Sequence, residues 1–212
     1  MTETAMTGTP PTGANQTVVI TGANRGLGLE LVRSYTQRGD VVVAGCRNPA
    51  AATELAALTA HVHPVDVGDE SSIARFVDAI GDRTVDVIVN NAGIDARNLG
   101  AADGERDVLA QPPEHLLGQI QVNAVGPLLL TRALLPHLPR SGNPRIVNVS
   151  SQIGSMEISQ KMGRDLGYAV SKAALNMITV KLAMRLRDDG ITAVMLHPGY
   201  LKTEMGGAGA AM

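Results

Sequence analysis

The sequence predicts a single α/β domain: a doubly wound parallel sheet with helices on both faces, a three-layer α/β/α sandwich. Three observations predict it. Short apolar, β-branched runs recur along the chain with helix-like segments between them, the pattern of successive β-α-β units. Those runs are mostly apolar rather than alternating, as strands buried on both faces should be. A glycine-rich stretch follows the first run and opens the first helical segment, where such a sheet places a ligand loop.

Taken in order, "MTETAMTGTPPTGANQ" (1–16) is rich in Thr, Pro and Gly and has no apolar period. It lacks the basic start and apolar run of a secretion signal, so a disordered leader is expected there and one domain over 17–212. "TVVI" (17–20), "VVVAG" (41–45), "HVHPV" (61–65), "VDVIV" (85–89), "RIVNV" (145–149) and "TAVML" (192–196) read as strands. Helices are expected over 25–38, 50–59, 71–80, about 114–138 and 168–188. Pro127 should bend or interrupt the fourth, because proline has no N–H for the helical bond. The segment 96–113, rich in Gly, Ala and charge, is expected to be a flexible loop near the pocket mouth.

Composition narrows the function. A chain of 212 residues suits one sizeable α/β domain, and 44% hydrophobic with 18% charged residues is ordinary for a globular protein. The net charge is −2, from 18 basic and 20 acidic side chains without a basic stripe, which argues against nucleic acid as the main partner. No run approaches the ~18 apolar residues of a membrane span. One cysteine, Cys46, excludes an internal disulfide and fits a reducing cytoplasm.

The glycine stretch is "TGANRGLG", with Gly22, Gly26 and Gly28 spaced G-x-x-x-G-x-G. Glycines let the backbone turn sharply and approach a pyrophosphate, and the next helix offers free N–H groups and a positive dipole end. An NAD-binding domain usually carries Asp or Glu about 20 residues later for the ribose hydroxyls. Here "GCRNP" stands at the end of the second strand, with Arg47, and Arg25 lies inside the glycine loop. Guanidinium groups pair with a 2′-phosphate that a carboxylate would repel, so NADP(H) is favoured over NAD(H). The alternative for each arginine is a solvated surface charge. Asp66 closes the third strand, where it could accept from an adenine amino group or serve as an ordinary turn or capping aspartate.

Further along come "NNAG" (90–93), "QVNAVGP" with Asn123, "VNVSSQIG" with Ser151, "YAVSK" with Tyr168 and Lys172, and "HPGYLKT" ending at Thr203. Together with "TGANRGLG", and in this order, these motifs resemble the short-chain dehydrogenase/reductase family over about residues 17–205, and within it the carbonyl-reductase-like branch of sniffer and C-factor type. The resemblance implies a Rossmann-type fold and an NADPH-dependent oxidoreductase that reduces an aldehyde or ketone to an alcohol. It implies that Gly22, Gly26 and Gly28 hold the pyrophosphate and that Asp66 and Val67 line the adenine site. Asn90 and Gly93 would shape the floor beside the adenosine ribose, and Leu201 and Thr203 would contact the nicotinamide end. Asn24, Arg25, Leu27, Arg47, Ala92, Tyr168, Lys172, Pro198 and Gly199 complete the implied cofactor contacts. Asn123, Ser151, Tyr168 and Lys172 would be the catalytic tetrad, with Asn123 holding a water that links Lys172 to solvent. Family members continue with a further helix and strand, whereas nine residues follow Thr203, so a domain without those elements is expected. A small carbonyl or alcohol substrate is the implied partner, and a homo-oligomer, dimer or tetramer, is compatible with it. The C-factor likeness carries a second expectation, a nucleotide-binding regulatory or signalling protein with little turnover.

The spacing of Tyr168 and Lys172 permits proton chemistry, with a tyrosine that packs a helix and a lysine that solvates it as the alternative. A free phenol titrates near pH 10, too weak an acid to protonate an alkoxide easily at neutral pH. Lys172 lies four residues on, on the same helical face, and its cation should lower the phenol's pKa while burial acts the other way. Ser151 follows the fifth strand and can hydrogen-bond a substrate oxygen; Ser150 is the competing candidate. His61 and His63 share one face of a strand, but two histidines without a third ligand are expected to be structural, and no metal is predicted. His137 and His197 show no evident partner, and Cys46 is expected to be a small packing residue.

Overall fold

Six parallel strands form one sheet: β1 (Thr17–Thr21), β2 (Val41–Cys46), β3 (His61–Pro64), β4 (Val87–Asn90), β5 (Arg145–Val149) and β6 (Thr192–Leu196). Their order is β3-β2-β1-β4-β5-β6, and each neighbouring pair is parallel. The fold is a computed structural model of the chain that describes residues 15–138, 142–161 and 163–199. The leader expected over 1–16 falls almost entirely outside these residues, as do Tyr200, Leu201 and Thr203.

Valine and isoleucine fill the strands because branched side chains pack well on a pleated surface. Successive residues point to opposite faces, and both faces are dry. Val18 and Ile20 join Val42, Ala44, Val87 and Val89 against α1 (Gly26–Gln37) and α2 (Thr53–Leu58). Val19 joins Val43, Ile88 and Ile146 on the other face, against α3 (Glu70–Ile80), α5 (Gly126–Leu134) and α7 (Leu166–Leu186). Val18, Val19 and Ile20 are all fully buried, which explains why the β1 run does not alternate in polarity. Each such side chain contributes about 1.5–3 kcal/mol by leaving water. The strand order reverses between β1 and β4, so their carboxyl ends, at Thr21 and Asn90, open the crevice where ligands bind in this architecture. Among the described residues no helix is long and apolar enough to cross a membrane.

Two expectations need revision. The fourth helical segment is not simply bent at Pro127. It runs as α4 (Pro113–Ile120), one wide π-helical turn (Gln121–Val125), α5 and a closing 3₁₀ turn (Leu135–His137). In the wide turn the Gly126 N–H bonds the Gln121 carbonyl, five residues back. Proline removes the donor that would serve the carbonyl four residues earlier, which is that of Asn123, so the irregularity falls one turn before the proline.

The segment 96–113 is built rather than featureless. It holds two 3₁₀ turns, Ala96–Leu99 and Asp103–Arg106, and Asp107 makes an antiparallel bridge with Arg164. Asp95 caps the first turn through its side chain, a local bond that composition alone does not disclose. A short helix, α6 (Met156–Ser159), precedes the approach to α7.

Candidate active site

The glycine loop leaves β1 at Thr21 and enters α1 at Gly26. Gly22 has φ +64°, a left-handed backbone that glycine adopts without strain. A β-carbon at Gly28 would lie 2.2 Å from the Gly22 carbonyl oxygen and 2.6 Å from Asn91 Nδ2, so α1 can approach the loop this closely only with glycine there. Arg25 sits at the N-cap of α1 and gives no side-chain cap, and no acid stands in the first turn. By contrast, Asp69 caps α3 by accepting from the Ser71 N–H. An uncapped helix start behind a glycine cradle suits a pyrophosphate, which supplies the missing acceptors.

Asn91, a residue the sequence did not single out, holds this cradle in place. Its Nδ2 donates to the Thr21 carbonyl (2.9 Å) and the Gly22 carbonyl (3.1 Å). The Thr21 hydroxyl in turn accepts from the Asn91 and Ala92 N–H groups (3.3 and 3.2 Å). Its neighbour Asn90 is 3% exposed and spends its amide elsewhere, donating to Thr131 Oγ1 (3.3 Å) and Asn148 Oδ1 (2.8 Å). The side chain of Asn90, a residue expected with Gly93 to shape the floor beside the ribose, is thus engaged between the sheet and α5. The adjacent "NN" in the sequence was the available signal, but only the direction of each side chain separates the two.

The other expected nucleotide contacts surround the same crevice. Asn24, Arg25, Gly26 and Arg47 are exposed, Leu27 is half-buried, and the Ala23 N–H ties the loop to the Gly45 carbonyl at the end of β2 (3.1 Å). Arg25 and Arg47 thus stand at the ends of neighbouring strands, with Cys46 buried between sheet and helix. Asp66 is exposed and accepts from the Gly68 N–H (2.9 Å), a turn-forming bond. The Val67 side chain belongs to the core, and its carbonyl packs against Gly126 at the start of α5. Pro198 and Gly199 are half-buried after β6; Leu201 and Thr203 lie outside the described residues.

The four residues expected to do chemistry converge at the ends of β4 and β5. Asn123 is fully buried and uses its whole amide: Oδ1 accepts from the Ile94 N–H (2.8 Å), while Nδ2 donates to the Ile94 carbonyl (2.8 Å) and Ser171 Oγ (2.9 Å). Ser171 donates to the Tyr168 carbonyl (2.8 Å), which joins Asn123 to the turn that carries the phenol. Lys172 is 4% exposed; its Nζ donates to the Val149 carbonyl (2.8 Å) and lies 5.5 Å from the Tyr168 ring centroid. Gly93 passes close to Asn123 and Lys172. Ser151 caps the turn Gln152–Gly154 by accepting from the Ile153 N–H (3.3 Å), so its own hydrogen stays available. Ser150 is buried and donates to Asn176 Oδ1 (2.6 Å), which ties its hydroxyl to α7 and favours Ser151 as the one facing the crevice.

Burial, rather than the lysine's charge, dominates the electrostatics. The Tyr168 phenol is pushed up to about 12, first by burial and then by the negative charge of Asp95. Burial alone pushes Lys172 down to about 8. The expected lowering of the phenol by its lysine therefore does not occur in the chain by itself: the cation that would do it is weakened by the same dry surroundings. A phenol held protonated beside an amine that titrates near pH 8 can still give up a proton to a stronger base and be refilled. Asp95 is a further residue of the site that its motif did not reveal; it is 7% exposed and pairs with Arg97 Nη2 (2.5 Å).

The histidines fall into structural places. His63 meets Phe76 edge-on with centroids 6.3 Å apart, and His137, expected to lack a partner, has Nδ1 3.0 Å from the Arg83 carbonyl. Among the described residues no three His, Cys, Asp or Glu side chains are grouped to hold a metal.

Comparison with known proteins adds an independent line. The family model described as short chain dehydrogenase matches residues 16–211. The "Short-chain dehydrogenase RED3" of Pyricularia oryzae is 31% identical over 204 residues, covering 90% of this chain and 78% of the relative. The protein called C-signal from Myxococcus xanthus is 38% identical over 128 residues, 60% of this chain and 72% of its own. Among solved structures, an NADPH-bound carbonyl reductase from chicken fatty liver superposes with a TM-score of 0.80 at 32% identity, covering 91% of this chain and 82% of that one.

Two expected outcomes follow from the geometry. Gly28→Ala forces a β-carbon onto the Gly22 carbonyl, and fluorescence titration should show nucleotide affinity falling by about tenfold or more, ~1.4 kcal/mol; unchanged affinity would remove the loop from the nucleotide site. The second concerns Lys172, whose pKa drops from 10.5 to about 8 on folding. Between those values the unfolded chain binds the extra proton, so stability rises with pH. Denaturant unfolding of the parent should gain about 2 kcal/mol over Lys172→Met between pH 7 and about 9.5, whereas parallel curves would show that the amine is not desolvated.

Proposed function

The chain belongs to the short-chain dehydrogenase/reductase family and is thereby an oxidoreductase, and on that premise we propose that it reduces an aldehyde or ketone to an alcohol with NADPH. The observation that carries the proposal is the half-buried Tyr168 beside the buried Lys172, set between the Ser151 turn and the Asn123 clamp in the same crevice as the glycine cradle. A bound, reduced nicotinamide would supply the hydride to the carbonyl carbon.

The chain's own residues then handle the proton. Ser151 Oγ donates a hydrogen bond to the carbonyl oxygen, which can only accept, while the Ile153 N–H holds the hydroxyl in place. Tyr168 gives its phenolic proton to that oxygen as negative charge builds there. Its raised pKa keeps the acid form filled across neutral pH, which suits the reductive direction. Lys172 spends one of its protons on the Val149 carbonyl and keeps two for a ribose hydroxyl and the phenol. Both side-chain hydrogens of Asn123 are engaged, and a relay water beside Lys172 would hang from its main-chain carbonyl, which Pro127 leaves without the usual helical donor.

NADPH is preferred in this proposal because Arg25 and Arg47 flank the crevice where no carboxylate closes β2. A buried Cys46 as the single cysteine fits a reducing, cytoplasmic setting. The substrate is a small carbonyl compound. A second reading, a nucleotide-binding signalling protein with little turnover, is favoured by the 38% identity to C-signal. The tetrad weighs against it, since binding alone needs no phenol set beside a buried amine.

A panel of aldehydes and ketones, followed by NADPH oxidation, separates the two: steady turnover supports the reductase, and tight binding without turnover on any of them supports signalling. Tyr168→Phe keeps the shape and removes the proton, so turnover should fall by about 10³-fold with NADPH affinity retained; an active phenylalanine variant would end the assignment. Replacing Arg25 and Arg47 together by alanine should weaken NADPH by about tenfold or more and leave NADH nearly unchanged. Equal loss for both nucleotides would count against 2′-phosphate pairing.

A further inference from the structure

Tyr168 is clamped from the inside by Asn123 through Ser171, and the same turn is held from the outside by a second set of bonds. Asp165 starts α7 with φ 64° and ψ 38°, and among the described residues it is the one non-glycine residue with positive φ. An aspartate there is well placed to cap the helix, yet its side chain makes no cap bond. Its carboxylate turns instead to Arg106, accepting from Nε (2.7 Å) and lying 2.6 Å from Nη2, while its N–H donates to the Arg106 carbonyl (2.9 Å). The residues on either side are tied to the same segment. Arg164 reaches Asp103 (2.8 Å) and bridges Asp107, and the Gly167 N–H donates to Gln111 Oε1 (2.9 Å).

We propose that the Arg106–Asp165 pair positions Tyr168, fixing the left-handed entry into α7 from the 3₁₀ turn 103–106 and so setting where the phenol sits in the crevice. The proposal rests on the reading of Tyr168 as proton donor. Arg106 and Asp165 are 19% and 29% exposed in their side chains, so water screens this pair far less than the rim pair Arg164–Asp103, at 54% and 77%. A left-handed aspartate is held only if its surroundings over-determine it, and two bonds from one arginine do that. The geometry matters because a displaced proton donor loses rate steeply even when binding survives. Neither residue touches substrate or cofactor; they act through the helix start.

The test compares Arg106→Gln, Asp165→Asn, the double variant and Arg106→Lys in the full chain. Asparagine tolerates the left-handed backbone, so Asp165→Asn removes charge without adding strain. Three quantities are read: kcat and KM for a carbonyl substrate, NADPH affinity, and the ring resonances of Tyr168 in tyrosine-labelled protein, assigned by their absence in Tyr168→Phe. Each single variant should lower kcat by about 10- to 100-fold with NADPH affinity nearly unchanged, and should shift the Tyr168 resonances while leaving those of Tyr35 in place. Arg106 Nη1 also donates to Asp103 (3.1 Å), so Arg106→Gln should be the poorer single variant, and the double variant should be no worse than it because Asp165→Asn breaks a pair already lost. Arg106→Lys should recover most of the loss. A kcat within twofold of the parent in both single variants, or strictly additive losses, overturns the proposal. Should Arg106→Gln not fold, Asp165→Asn and Arg106→Lys decide by the same criteria. If the parent itself turns over no carbonyl, the reductase reading fails separately, and the Tyr168 resonances alone decide: unmoved in Asp165→Asn, they overturn the positioning role.

Discussion

The site depends above all on one buried amide. Asn123, without exposed surface, grips both the N–H and the carbonyl of Ile94 and passes its remaining hydrogen to Ser171. Three segments distant in sequence meet there: the loop after β4, the wide turn between α4 and α5, and the first turns of α7. Leaving any one of these polar groups unpaired in a dry interior would cost about 1–3 kcal/mol, so the arrangement is held as a unit. The wide turn exists where it does because Pro127 cannot donate to the Asn123 carbonyl. One missing N–H thus widens the helix and removes the usual donor from the carbonyl of the residue that organises the crevice.

Around that clamp the protein spends burial on chemistry. Lys172 is dry apart from its bond to Val149, and the half-buried phenol beside it is desolvated enough to be pushed up. Desolvation moves the two groups in opposite senses, up for the acid and down for the amine, which leaves both neutral forms accessible near pH 8. A site of this kind is poised for a partner that brings its own charge or hydrogen bonds. The nucleotide crevice beside it is built by the same economy of groups: an uncapped helix start, a close-packed glycine pair, and Asn91 stitching the ends of β1 and β4 together.

The likeness to a dehydrogenase from Pyricularia, to C-signal and to a chicken carbonyl reductase agrees with this architecture and places the chain in its family. The segment before α4 adds to that architecture: Asp95 brings a negative charge that raises the phenol, and Arg106, within the stretch whose composition suggested only a loop, anchors the left-handed residue that precedes α7.

By itself the sequence determined the strand–helix order, the parallel sheet and the glycine loop, through the period of apolar residues and the glycines that follow a strand end. Asn123, Ser151, Tyr168 and Lys172 were expected from the family resemblance of their motifs. Tertiary structure alone decided the remainder. Asn91 rather than Asn90 meets the glycine loop, because adjacent side chains point to opposite sides and only packing fixes which side is the crevice. Burial outweighs the Lys172 charge at Tyr168, because desolvation depends on every layer around a group, not on its neighbour four residues away. The segment 96–113 is ordered by bonds to residues 164–167, about sixty positions later in the chain, and no window of sequence contains both ends of such a contact.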